Sequence, residues 1–243
     1  MIHVRARRDR QPVPGAARPD SPVTSISRDG RLRLAVTALE VATAAAAVLA
    51  DLLIPSVVLL VLAGTSLLAR RQGPASLGFH RPASPGRLAG LMLAVAAGWT
   101  LLHLALLNPV TNHLSGERQD VSDFAALQGN LGLLLLMLVL AWTLAAMVEE
   151  TAFRGYLLTR LRELLGNGPT GLVVAVLASS LLFGLLHTEQ GMVGVVLATV
   201  DGVLFSLLRL CSGTVWAPIL CHGFLNTIGF VSFYLIGPVY GLW

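Results

Sequence analysis

Polar and apolar positions separate into long blocks along this chain. Residues 1–32 are rich in Arg, Pro, Asp and Ser and show no apolar period. Apolar stretches then run at roughly 34–50, 52–69, 89–107, 131–153, 171–187, 192–210 and 214–236. Each is close to the ~20 residues an α-helix needs to cross the hydrocarbon core of a bilayer. The pattern predicts an all-α fold, a polytopic transmembrane helical bundle of about 7–8 spans, with "IGPVYGLW" as a short or re-entrant eighth. It divides the chain into a disordered basic tail at 1–32, N-terminal transmembrane helices with a linker at 33–129, and a C-terminal core at 130–243. The tail is too long, and its charges lie too far from the first apolar run, to read as a signal peptide.

The spacing of the stops sets the levels of the side chains. Nothing breaks the helical pattern from 131 to 165, and "GNGP" at 166–169 ends it. The next helix runs back. Glu149 lies 16 residues before Leu165 and His187 lies 17 after Thr170. At ~1.5 Å per residue both sit about 25 Å from the turn. His222 fits less easily. If its span begins near Thr214, it lies only ~12 Å from that end. Either the helices tilt or the 211–213 turn lies within the protein, and Pro218 is able to bend the helix.

Composition agrees with a bilayer environment. The chain is 55% hydrophobic and only 12% charged, about half the charge of a soluble domain. All 17 basic residues are Arg, a bias that suggests a GC-rich, bacterial genome. Arg5 through Arg33, Arg70, Arg71, Arg81, Arg87, Arg160, Arg162 and Arg209 fall on one side of the alternating spans, and only Arg118, in "SGERQDVSD", falls on the other. By the positive-inside rule this predicts a multi-pass protein of the cytoplasmic cell membrane with a cytoplasmic amino terminus. Arg scattered between spans argues against nucleic acid as a partner. The lipid bilayer is the partner this arrangement implies. Cys211 and Cys221 make neither a disulfide framework nor a metal motif.

Against this background "MVEETAFRGYLL" (147–158) is unexpected, because a charge at the bilayer centre costs ~3 kcal/mol and usually marks a functional or paired group. Glu150 and Arg154 are four apart with Glu first, the favourable order for an ion pair on a helix. Glu149 then points about 100° away without that partner, a candidate general base. A structural ion network at a membrane edge remains open on these residues alone. Phe183 and His187 share one helical face, and His222 and Asn226 share another. Polar side chains on such stripes need partners. Asp201 falls between these motifs and is expected to line the same cavity. Glu40 and His103 are expected to bond neighbouring helices, and Ser179 and Ser180 to serve as small-residue packing.

Glu-Glu-x-x-x-Arg at 149–154, Phe-x-x-x-His at 183–187 and His-x-x-x-Asn at 222–226, in that order on successive apolar helices, resemble the CAAX protease and bacteriocin-processing family (CPBP, also called ABI). The type II CAAX prenyl endopeptidases are eukaryotic relatives. The likeness covers about 130–230, and "LGFHRP" at 77–82 is similar to the family's upstream linker. It implies an intramembrane endopeptidase acting on a membrane-associated protein or peptide. In that reading Glu149 activates water with help from His187, while His222 and Asn226 stabilise the oxyanion. Glu150, Arg154 and Phe183 support the site. The family is also described as metalloproteases, which implies Zn²⁺ or another divalent metal on Glu149, His187 and His222, although the chain lacks the His-Glu-x-x-His signature.

Two other classes compete with a protease. A non-catalytic family member would act in bacteriocin immunity or as a scaffold. A transporter using Glu40, Glu149, Asp201 and His187 would show broken helices and repeat symmetry, and no repeat is evident in the sequence.

Overall fold

The computed structural model describes residues 28–52 and 54–237, and the regular structure among them is entirely helical. α1 (Arg28–Leu49) and α2 (Pro55–Arg70) lie against each other. α3 (Pro85–Leu102) continues through a π-helical turn, His103–Leu107, into α4 (Asn108–Ser115). α5 (Leu131–Leu140) continues through two π-helical stretches, Ala141–Glu149 and Thr151–Leu157, into α6 (Leu158–Leu165). α7 (Pro169–Gly184) leads through a 3₁₀ segment, Leu185–Gln190, into α8 (Gly191–Ser212), and α9 (Trp216–Ile236) follows.

Local chemistry sets these boundaries. Pro55, Pro85 and Pro169 each open a helix, where the missing N–H has no intrahelical partner to lose. The Asn130 side chain caps α5 by accepting the Leu133 N–H at 3.1 Å. The segments Arg28–Leu49, Pro85–Ser115, Leu131–Leu165, Pro169–Ser212 and Trp216–Ile236 are long and apolar enough to cross a membrane, and Pro55–Arg70 is apolar but shorter. Pro169–Ser212 is not one rod. Gly191 has φ 73° and ψ −177°, a conformation open essentially to glycine. Gly184 lies against Val195 and Thr199, and Gly202 lies against Ser180, the order of an antiparallel pair. The protein is therefore an all-α, multi-pass membrane protein, with seven helical rods among the described residues. The tail before residue 28 and the eighth segment proposed at 236–243 fall almost wholly outside the described residues; α1 already begins at Arg28.

At one end of the bundle an ion cluster ties the first hairpin to α6. Glu40 takes Arg70 at 2.9 Å and lies 3.2 Å from Arg160, while Arg160 and Arg70 both reach Glu163, at 2.6 and 3.3 Å. Ser66 and Gln72 accept two further hydrogen bonds from Arg160. Arg160 is only 1% exposed, so its charge depends on these partners. Removing one partner of a buried pair typically costs about 3–5 kcal/mol. Glu40→Ala is expected to destabilise the fold by an amount near the lower end of that range, since Glu163 remains. Thermal unfolding in detergent tests this, and an unchanged midpoint would show that the cluster is not holding α1 to the core.

The level of His222 is explained at the same end. Residues 211–213 are exposed, but Thr214 and Val215 are buried. The Val215 N–H donates to the Gly78 carbonyl at 2.9 Å, the Thr214 hydroxyl donates to the His80 carbonyl at 2.9 Å, and Phe79 meets Trp216 edge-on at 5.6 Å. The 72–84 linker thus covers the start of α9. His222 lies deeper than the length of α9 alone suggests.

Candidate active site

The Glu-Glu motif stands where the long helix is widened. Glu150 is the single residue between the two π-helical stretches. Hydrogen bonds that skip one extra residue widen the helix and change where side chains project, and such π segments occur frequently at functional sites. Glu150 is fully buried. Its Oε1 accepts from Arg154 Nη1 at 3.1 Å and from His222 Nδ1 at 2.9 Å. One carboxylate oxygen therefore joins the first motif to the third.

Arg154 is also fully buried, and its guanidinium lies over Phe183 at 4.1 Å and Phe205 at 5.2 Å. Such stacking is worth about 2 kcal/mol when desolvated. Phe183 sits between the two imidazoles, with ring centroids 5.1 Å from His187 and 6.0 Å from His222. His222 stacks on Phe205 at 4.9 Å and 16°. Phe183 and Phe205 thus fix the orientation of three charged or chargeable groups at once.

The hydrogen bonds also assign the tautomers. His187 Nδ1 faces the Phe183 carbonyl at 3.1 Å. A carbonyl only accepts, so Nδ1 carries the hydrogen and Nε2 of a neutral ring keeps its lone pair. His187 leaves the helical conformation, with φ −111° and ψ 30°, inside the 3₁₀ segment that follows α7. His222 Nδ1 donates to Glu150 in the same way, leaving its Nε2 for a ligand.

A cavity of about 380 Å³ is lined by Glu149, His187, His222 and Asn226 together with Phe183. Oε2 of Glu149, like Oε2 of Glu150, is buried without a hydrogen-bond partner among the described residues. All four candidate catalytic residues therefore reach one space, while Glu150 and Arg154 stand behind it. Among the described residues no three His, Cys, Asp or Glu side chains are grouped to hold a metal ion. The set Glu149, His187 and His222 shares the cavity without forming a ligand cluster.

Asp201 lines the same cavity, as its position between the motifs suggested. Its Oδ1 accepts from Trp99 Nε1 at 2.6 Å and faces His103 Nε2 at 2.8 Å. Glu40 bonds neighbouring helices rather than this cavity. Ser179 and Ser180 are fully buried packing residues, and Ser180 touches Gly202. Phe205, Trp99 and the roof residues Gln119 and Gln190 do not stand out in the sequence. Gln119 Nε2 donates to Gln190 Oε1 at 2.7 Å, and the Asp120 N–H donates to the Gln190 carbonyl at 3.0 Å. These contacts tie the 116–130 loop over the 185–190 turn. The signal for Phe205 was its position four residues after Asp201, too slight to separate it from core packing.

Residues 131–228 match the family model described as "Type II CAAX prenyl endopeptidase Rce1-like". No curated protein and no solved structure matches the chain.

Proposed function

We propose, on the premise that residues 131–228 belong to the Rce1-like family of type II CAAX prenyl endopeptidases, that the protein hydrolyses a peptide bond of a membrane-associated protein or peptide. The observation that supports this reading is a single cavity lined by a glutamate, two oriented imidazoles and an amide.

In this reading a water donates one hydrogen bond to His187 Nε2 and gives its other proton to Glu149 as its oxygen attacks the scissile carbonyl carbon. The C–O bond forms and the carbonyl oxygen becomes an oxyanion. Asn226 Nδ2–H donates to that oxygen. His222, when protonated, donates from Nε2 while its Nδ1–H stays on Glu150. Glu149 then returns the proton to the amide nitrogen, the C–N bond breaks, and an acid and an amine leave. Glu150 and Arg154 hold His222 in place and do not touch the substrate. The Arg-rich end that holds Arg70, Arg160 and Arg209 faces the cytoplasm in this scheme, which places the amino terminus there.

The test is hydrolysis by the full chain in proteoliposomes, with single-span peptides and ¹⁸O-labelled water. The expected product carries one ¹⁸O in its new carboxylate. Asn226→Ala is expected to lower kcat by about 10²–10³, the effect of losing one oxyanion donor, with little change in KM. Absence of new termini from any peptide, with the protein folded, would favour a non-catalytic scaffold.

A further inference from the structure

The cavity that holds the catalytic groups is lined by a second carboxylate, Asp201. Asp201 Oδ1 is held by the Trp99 indole N–H and by His103 Nε2. Trp99 and His103 come from α3 and the turn that follows it, whereas Asp201 comes from α8. An aspartate at membrane depth fixed by two donors from another helix could be only a helix–helix clasp. Two features set it apart. All three residues line the cavity that holds Glu149, His187, His222 and Asn226, and the Asp201 side chain remains 25% exposed. A carboxylate accepts about four hydrogen bonds, and the Trp99 and His103 contacts both fall on Oδ1.

The neighbouring cavity carries charge of the same sign. A second cavity of about 330 Å³ beside the first shares Phe124 and Gln190 with it and is lined by Asp120, Asp123 and Glu189. No Arg is among the residues lining either cavity, although Arg118 adjoins the lining residue Gln119 in the chain. Arg154 lies behind Glu150, fully buried. A segment entering this space meets carboxylates, and the basic groups that line it are the imidazoles of His103, His187 and His222 rather than Arg. A substrate cation beside Asp201 would add to the His103 contact in offsetting the cost of that acid at membrane depth.

We propose that Asp201 is a specificity-determining residue that receives a basic side chain, Lys or Arg, of the substrate segment. Trp99 and His103 position its carboxylate. The assignment rests on the endopeptidase reading for the word substrate, but charge-selective binding does not require turnover. The structure therefore selects cationic peptides from among membrane-associated ones.

Binding separates the two claims. The full chain carrying Glu149→Gln, in nanodiscs, is titrated with fluorescent single-span peptides that differ only in Lys, norleucine or Glu at one position near the centre. The expected order is Lys tighter than norleucine, by roughly ten- to a hundredfold for a charge-assisted contact, with Glu weakest. Adding Asp201→Asn is expected to bring the Lys-to-norleucine ratio close to one, and Asp201→Glu to restore part of it. Norleucine-peptide binding reports that the cavity is still formed. If the protein with Asp201 intact binds the Lys and norleucine peptides equally at every position scanned, the proposal is overturned whatever the variants do. If the preference survives Asp201→Asn, the carboxylate at 201 is not its source. Selective binding with no hydrolysis by the unsubstituted chain would sink the endopeptidase reading and leave the recognition site standing.

Discussion

Glu149→Gln is expected to lower kcat/KM for peptide hydrolysis by about 10³–10⁴-fold, the contribution of a positioned general base, while leaving the fold intact. The reason lies in the two neighbouring acids. Glu150 spends one oxygen on Arg154 and His222 and is sealed from the cavity. Glu149 lines the cavity, and no Arg or His hydrogen bond to its carboxylate is seen among the described residues. Glutamine keeps the volume and a hydrogen-bonding end but cannot take a proton from water. Peptide binding should therefore survive, and the loss should appear in kcat. Cleavage rates with purified wild type and variant measure this directly. A variant within tenfold of wild type would mean that another group removes the proton.

The second large effect is at Glu150, for a different reason. Glu150→Ala leaves Arg154 buried with no counter-ion and leaves His222 Nδ1–H without its acceptor. Breaking a buried pair from one side typically costs about 3–5 kcal/mol, a large share of the 5–15 kcal/mol by which native proteins are stable. The variant should accumulate poorly and melt far below wild type. The double variant Glu150→Met with Arg154→Leu removes both charges and is expected to recover much of that stability, since apolar replacement of a buried pair is often neutral or better. It should still hydrolyse peptide slowly, because His222 has lost the acceptor that orients it. Thermal unfolding and hydrolysis of the single and double variants separate the two roles. Stability unchanged in Glu150→Ala would show that the pair does not organise the core.

The residues that could be read from the sequence were those whose presence in an apolar span has an energetic cost. Glu149, Glu150, Arg154, His187, His222 and Asn226 stand out because hydrophobic neighbours make each polar group conspicuous. The four-residue spacing of Glu150 and Arg154 correctly gave their pairing, and Asp201 was placed near the site by its order in the chain. What stayed hidden is what apolar sequence cannot encode locally. The same residues satisfy α and π hydrogen bonding, so the widening over Ala141–Leu157 left no trace in the pattern. Phe205 and Trp99 look like any other packed aromatic until the helices are placed side by side. The depth of His222 depended on a covering linker 130 residues or more earlier in the chain, a contact no span-length argument contains. The carboxylate bridge from Glu150 to His222 likewise crosses 72 positions, and the sequence offered only the i+4 partner.

The most direct test is an experimental structure of the Glu149→Gln protein, in lipid, with an uncleaved single-span peptide. The scissile carbonyl oxygen is expected about 2.7–3.1 Å from Asn226 Nδ2, with the carbonyl carbon turned toward residue 149 and His187. A peptide seated elsewhere on the protein, or a carbonyl pointing away from Asn226 with residue 149 out of reach, would contradict this mechanism.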